Sequence, residues 1–219
     1  MTTHDESSET KTPWVRKVLV PALIGGVVGF AAASGMLRFI DSETVGGLGI
    51  SGTIAALVGV LYVVIGASIA LGTASPQLGA RFLNVEDADE LREQKQVLTL
   101  SGTAMGVWGA SLLALALAAP DGPLPHGIAL AIGAGGLVIG CLLSVPIYRA
   151  CDELMRMANL EAGAITYGLV LLVVGTWAML AHLGYIAGPA PIDLLTLFYV
   201  LVLVASFIAV GRRGMLTLR

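Results

Sequence analysis

The sequence predicts an all-α, polytopic membrane protein: six transmembrane helices arranged as helical hairpins, with two parallel repeats. Three observations predict it. Only 12% of the 219 residues are charged, about half the ~25% of soluble domains, and the mean hydropathy is +0.87. Six stretches are mostly apolar over about the 20 residues needed to cross hydrocarbon. The cationic residues fall in alternate connections, so a single orientation places nearly all of them on one side.

The elements follow in chain order. Residues 1–13 are polar and carry Asp5, Glu6 and Glu9, a composition that predicts a disordered cytoplasmic tail. The apolar stretches are 18–37, 47–73, 97–119, 127–148, 160–185 and 194–210. The first two form a hairpin over 14–73. A helix start plus a second hairpin occupies 74–149, a third hairpin occupies 150–213, and 214–219 is a cytoplasmic tail. The connections are short, and the 74–96 segment alone is long enough for another element. This leaves no room for a soluble catalytic domain. A signal peptide is the rival reading of the first stretch, because "AAASG" at 31–35 has the small residues a signal peptidase prefers. The leading region is too long and acidic for that, and the apolar run too long, so the segment reads as a retained span.

With the N-terminus inside, Lys11, Arg16, Lys17, Arg81, Arg92, Lys95, Arg149, Arg156, Arg212, Arg213 and Arg219 all face the cytoplasm. That is eleven of the 12 basic residues, with Arg38 outside. An even number of spans puts both termini on that side. The net charge of −3 and the absence of a basic cluster exclude nucleic acid as a partner.

A repeat explains why the acidic start of 150–163 is written twice. Asp89-Glu90-Leu91 and Asp152-Glu153-Leu154 lie 63 residues apart, as do Arg149 and Arg212. Gly122-Pro123-Leu124-Pro125 and Gly188-Pro189-Ala190-Pro191 lie 66 apart. Residues 87–149 and 150–213 therefore read as copies of one hairpin in the same orientation, parallel rather than inverted. Residues 14–73 lack both marks. Asn84 and Asp152 are the expected helix caps, with Glu86 and Asp87 in the first turn of the earlier helix. No Pro interrupts 85–118 or 152–184, so each is expected as one helix of roughly 50 Å. The Gly-Pro-x-Pro turns end the outer hairpin loops, since Pro suits a first helical turn.

Small residues let helices approach in lipid. Gly25/Gly29, Gly102/Gly106 and Gly136/Gly140 are G-x-x-x-G pairs, and Gly52, Gly59 and Gly66 repeat every seven residues. They are expected to pack helices within the bundle, with homo-oligomerisation through one such face as the alternative.

Glu161 is the residue richest in implication. At 100° per residue, Asp152, Arg156, Asn159, Thr166 and Tyr167 share one face of the fifth helix. Glu161 lies on the opposite one with Leu154, Met157, Ile165 and Gly168. A carboxylate on an apolar stripe is costly in a membrane. It either lines a path or reaches headgroup water or a neighbouring Arg, and the second reading is favoured. Asp152 and Arg156 are expected to pair at i,i+4. His182, near Trp177 and Tyr185, reads as an interfacial residue. Asp193 fits a first-turn carboxylate, His126 begins a helix, and Trp108 is expected in core packing. Pro146 is expected to kink the fourth span near Ser144 and Tyr148.

Cys141 and Cys151 fall on the reducing side, which excludes a structural disulfide. Two Cys without a matched His make no zinc site. No phosphate-binding Gly loop, H-E-x-x-H or G-x-S-x-G occurs. No cofactor, metal or catalytic residue is expected, and the chain reads as not an enzyme. Ionisable groups near the midplane, usual in ion-coupled transporters, are also absent.

Asp152-Glu153, Arg156, Leu160-Glu161-Ala162, Gly184 and Arg212-Arg213 resemble small uncharacterised bacterial inner-membrane proteins, which begin near a D-E-x-x-R-x-x-x-x-E-A pattern and end on basic residues. The resemblance spans about 65 residues. Residues 87–149 fit less well, with Asp89, Glu90 and Arg92 but no match to Glu161. The resemblance implies a bacterial cytoplasmic membrane and no particular activity.

The functional expectation is a non-enzymatic accessory, assembly or sensing component. It sits in the lipid bilayer and meets a protein partner at the cytoplasmic helix starts 85–96 and 151–159. The alternative is a small permease for neutral or apolar molecules, with a path between hairpins near Glu161 and Pro146.

Overall fold

The structure, a computed structural model, describes residues 14–45, 47–74, 94–118 and 122–214, with 14–22 described through their backbone. Six helices account for most of them: α1 (Trp14–Ile40), α2 (Ile50–Ala74), α3 (Lys95–Ala116), α4 (His126–Ala150), α5 (Glu153–His182) and α6 (Pro191–Arg212). No strand occurs among the described residues. All six helices are long and apolar enough to cross a membrane.

Successive helices run antiparallel. α2 packs on α3, α3 on α4, and α5 on α6; α6 also lies against α2 and touches α3, and α1 lies against α2. The result is a layer with α4 and α5 at its edges. Its centre is small: Met36 and Ile40 of α1, Ala55 and Ala56 of α2, and Leu112 and Ala116 of α3. Large apolar side chains such as Phe30, Leu130, Leu142, Leu172 and Phe207 point outward, each more than half exposed. In water such a surface would drive aggregation. In lipid it is solvated, and contact between helices is left to close packing of small residues.

That packing is concentrated on α2 and α3. A Cβ at Gly59 would lie 2.9 Å from the Gly109 carbonyl oxygen, and one at Gly66 would lie 2.6 Å from the Gly106 nitrogen. Gly102 faces Gly66 and Ile69, and Gly52 lies near Ala116. On α4, Gly133, Gly136 and Gly140 receive Leu115, Ser111 and Trp108 of α3. The expectation for Gly25 and Gly29 is corrected: nothing lies within 4 Å of where their side chains would begin. α1 meets the layer at its C-terminal end, through Met36 and Ile40, and Gly25 and Gly29 lie in its earlier, mostly exposed turns.

Helix ends follow the local chemistry. Asp152 caps α5 by accepting a hydrogen bond from the Met155 N–H at 2.7 Å. α5 is 30 residues long, about 45 Å at ~1.5 Å per residue. It stops at Gly184, whose φ of +78° a residue with a side chain adopts rarely. Asp193, in the first turn of α6, accepts the Ala190 N–H at 2.8 Å. Pro125 caps α4, while Pro191 is the first residue of α6, so the two Gly-Pro-x-Pro turns differ by one residue in register. α3 begins at Lys95 rather than 85, and Gln94 stands at its N-cap. Asn84, Glu86, Asp87, Asp89 and Glu90 lie outside the described residues, as do Arg81 and Arg92. α4 continues through Pro146 to Ala150, and the Ser144 hydroxyl donates to the Gly140 carbonyl at 2.9 Å.

Candidate functional site

The ends of α3, α4, α5 and α6 that meet at one face carry Lys95, Arg149, Arg156, Arg212 and Arg213. The opposite face holds Arg38 with Asp41, Glu43 and Asp193. The cationic face contains the candidate site, centred on Glu161.

α5 presents Glu161 toward α6, on the face opposite Asp152 and Arg156. The Arg213 Nε donates to Glu161 Oε2 at 2.8 Å, and an Arg212 guanidinium nitrogen lies 3.4 Å from Oε1. Arg213 also reaches the Met157 carbonyl at 3.5 Å. Glu161 and Arg213 are each about one quarter exposed, while Arg212 is 69% exposed. A charge-assisted bond of this length between partly desolvated groups is among the stronger polar contacts a protein makes. It joins the first third of α5 to the end of α6, the two helices of one hairpin. α5 packs broadly on α6 alone, so this contact matters to its placement.

The other face of α5 differs from the expectation. Arg156 pairs with Glu153 at 3.5 Å, not with Asp152, whose carboxylate is occupied by the helix cap. The Arg156 guanidinium also lies 5.2 Å from the centre of the Tyr148 ring and donates to the Cys151 carbonyl at 3.4 Å. Cys151 is buried, with the Asn159 amide 3.8 Å from its sulfur. Burial raises the Cys151 thiol pKa, the Asp152 carboxylate raises it further, and Arg156 opposes both. Asp152, Arg156 and the start of α5 thus form a compact α4–α5 corner, separate from the Glu161 contact.

The remaining candidates do not join this site. His182 is exposed in the last turn of α5, at the opposite end. Trp177 there donates to the Ala187 carbonyl at 2.9 Å, which holds the α5–α6 loop. Pro146 lies on α4 beside an open depression of about 380 Å³ lined by Gln96, Val145, Arg149 and Ala150. Glu161 does not line that depression. No cluster of three metal-ligating side chains occurs among the described residues.

A second polar contact escaped the sequence reading. The Tyr62 hydroxyl of α2 donates to the Tyr199 carbonyl of α6 at 2.7 Å, and the Tyr199 hydroxyl donates to the Trp108 carbonyl of α3 at 3.1 Å. The two tyrosine rings meet edge to face at 5.1 Å. This ties α6, and α5 with it, to the α2–α3 pair. The available signal was a tyrosine well inside each of two apolar spans, since a hydroxyl in lipid requires a partner.

Compared with protein-family models, curated proteins and solved structures, the chain matches none.

Proposed function

We propose that this chain is a non-enzymatic integral protein of a bacterial cytoplasmic membrane, an accessory, assembly or sensing component with both ends on the cytoplasmic side. The observation that carries this reading is the closure of Glu161 by Arg213 and Arg212. A carboxylate engaged by two guanidiniums holds a hairpin together. One that binds and releases a cargo or a proton needs access to a path, and Glu161 has its charge satisfied at the helix ends instead. This favours the accessory reading over a permease.

The positive-inside bias supports the orientation, because the described cationic side chains other than Arg38 gather at one face of the layer. The parallel repeat of 87–149 and 150–213 is supported by two antiparallel hairpins whose second helices each begin at a Gly-Pro-x-Pro turn. The partner surface is the start of α5, where Glu153 is 78% exposed on a helix whose broad packing is on α6.

A photo-crosslinking residue at position 153, expressed at native level, tests the proposal. The expected result is one discrete protein adduct, absent when the probe is moved to exposed Tyr185 at the other end. Recovery of the chain without an adduct in repeated experiments overturns the partner reading. A flux of small neutral solutes into proteoliposomes that disappears in Glu161→Gln would favour the permease.

A further inference from the structure

The four described arginines on the cationic face are not equivalent. Arg156 has Glu153, and Arg212 and Arg213 share Glu161. Arg149 has no carboxylate partner among the described residues, and neither does Lys95, the first residue of α3. Arg149 borders the depression between the inner ends of α3 and α4, whose other lining residues are Gln96, Val145, Pro146 and Ala150. The depression lies beyond the close glycine contacts of the pair: Trp108 fills the space at Gly140, and the depression opens beside Pro146 and Ala150.

We propose that this depression binds the phosphate of an anionic phospholipid, with Arg149 as the principal ligand. The proposal rests on the reading that the cationic face lies at the cytoplasmic surface of a bilayer. A guanidinium presents a planar fork of donors that matches two oxygens of a phosphate diester. The Gln96 amide supplies a further donor across the depression, and the preceding residue, Lys95, brings a second positive charge to the same end of α3. Val145, Pro146 and Ala150 supply apolar wall, and Leu142, one turn farther into the span, is 65% exposed. Charge above and hydrocarbon below is the pattern of a phospholipid, whose acyl chains continue along α4 while its phosphate stays at the helix ends. Basic recesses between helices on the cytoplasmic side are suited to such headgroups. A zwitterionic lipid brings its own cation and leaves the charge of Arg149 and Lys95 unmatched.

The test uses the full-length chain purified in mild detergent and incubated with equimolar phosphatidylglycerol and phosphatidylcholine. Retained lipid is counted by native mass spectrometry. The wild type is expected to retain phosphatidylglycerol preferentially. Arg149→Gln is expected to lower that retention about fivefold, the effect of one cation near an anionic surface, with a further loss in Lys95→Gln/Arg149→Gln. Arg212→Gln, outside the depression, is expected to leave it unchanged. Equal retention of the two lipids, or an unchanged Arg149→Gln, overturns the proposal. Displacement of the lipid by millimolar inorganic phosphate overturns the lipid assignment and leaves a general anion site. Labelling of Gln96→Cys from each side of intact membrane vesicles separates the two readings: modification from outside sinks the cytoplasmic orientation, whatever lipid is retained.

Discussion

Gly66→Ala should destabilise the protein, although alanine is the better helix former. A Cβ built at Gly66 falls 2.5 Å from the Gly102 carbonyl oxygen, 2.6 Å from the Gly106 nitrogen and 3.0 Å from the Gly106 Cα. Ordinary contact begins near 3.4 Å. These neighbours are backbone, so no rotamer change relieves them, and α2 and α3 must part by a large fraction of an ångström. A gap of ~0.5–1 Å forfeits a quarter to a half of each dispersion contact along the seam. Overpacking of this kind costs ~1–3 kcal/mol, and backbone neighbours place this case at the upper end. The helix-propensity gain of ~1 kcal/mol offsets part of it, leaving a net loss of about 2 kcal/mol. Gly25→Ala is the internal control, since nothing lies within 4 Å of its Cβ position; it should be neutral or stabilise by up to ~1 kcal/mol. Unfolding in dodecyl maltoside micelles by titration with dodecyl sulfate, followed by far-UV circular dichroism, measures both. If Gly66→Ala proves no less stable than Gly25→Ala, the account of the α2–α3 seam is wrong.

Other outcomes follow from the same structure. Arg213→Ala should cost ~1.5–3 kcal/mol by removing a charge-assisted bond to a partly buried carboxylate. Arg212→Ala, at an exposed and longer pair, should cost less than ~1 kcal/mol; a double-mutant cycle with Glu161→Gln should assign the coupling mainly to Arg213. Tyr62→Phe should lose ~1 kcal/mol in the same titration, because the Tyr199 carbonyl loses its side-chain donor. The Cys151 thiol should react slowly with a water-soluble maleimide near neutral pH and faster as pH rises, since burial and Asp152 both favour its protonated form. Asp152→Asn keeps a capping side chain while removing the charge, so it should shift the rate–pH curve to lower pH, and Arg156→Gln should shift it to higher pH. An unshifted curve in both variants would show that neither charge acts on the thiol.

Much of the architecture was legible because the length of an apolar run is a one-dimensional code. Hydropathy alone located all six helices, since the length of an apolar run is a property of adjacent residues. The Asp152 cap and the Pro-led start of α6 were equally local. Their partners lie three residues away or fewer, and the sequence displays them directly. The Asp152–Arg156 pair failed for a reason that is also local: the carboxylate cannot both cap Met155 and hold a guanidinium, and Glu153 was the free neighbour. The start of α3 was misjudged because the absence of Pro permits a longer helix without requiring one.

The glycines mark the boundary of that code. Gly25/Gly29 and Gly102/Gly106 are the same motif in the string, yet a Cβ at Gly102 would meet Gly66 and Ile69 of α2, while one at Gly25, Gly29 or Gly106 would meet nothing within 4 Å. Gly109, which no motif marked, meets Gly59 across the α2–α3 seam. Glu161 divides in the same way. Its position on the apolar stripe of α5 was readable from a 100° step, but the identity of its partners was not. Arg212 and Arg213 stand about fifty residues away in the chain, and only the antiparallel return of α6 brings them within reach. Composition and spacing therefore determined which segments form long apolar helices and, for α5 and α6, where they start. The rotation of each helix about its axis, and the neighbour it then meets, was decided by tertiary packing, because those contacts join residues remote in sequence and depend on several helices at once.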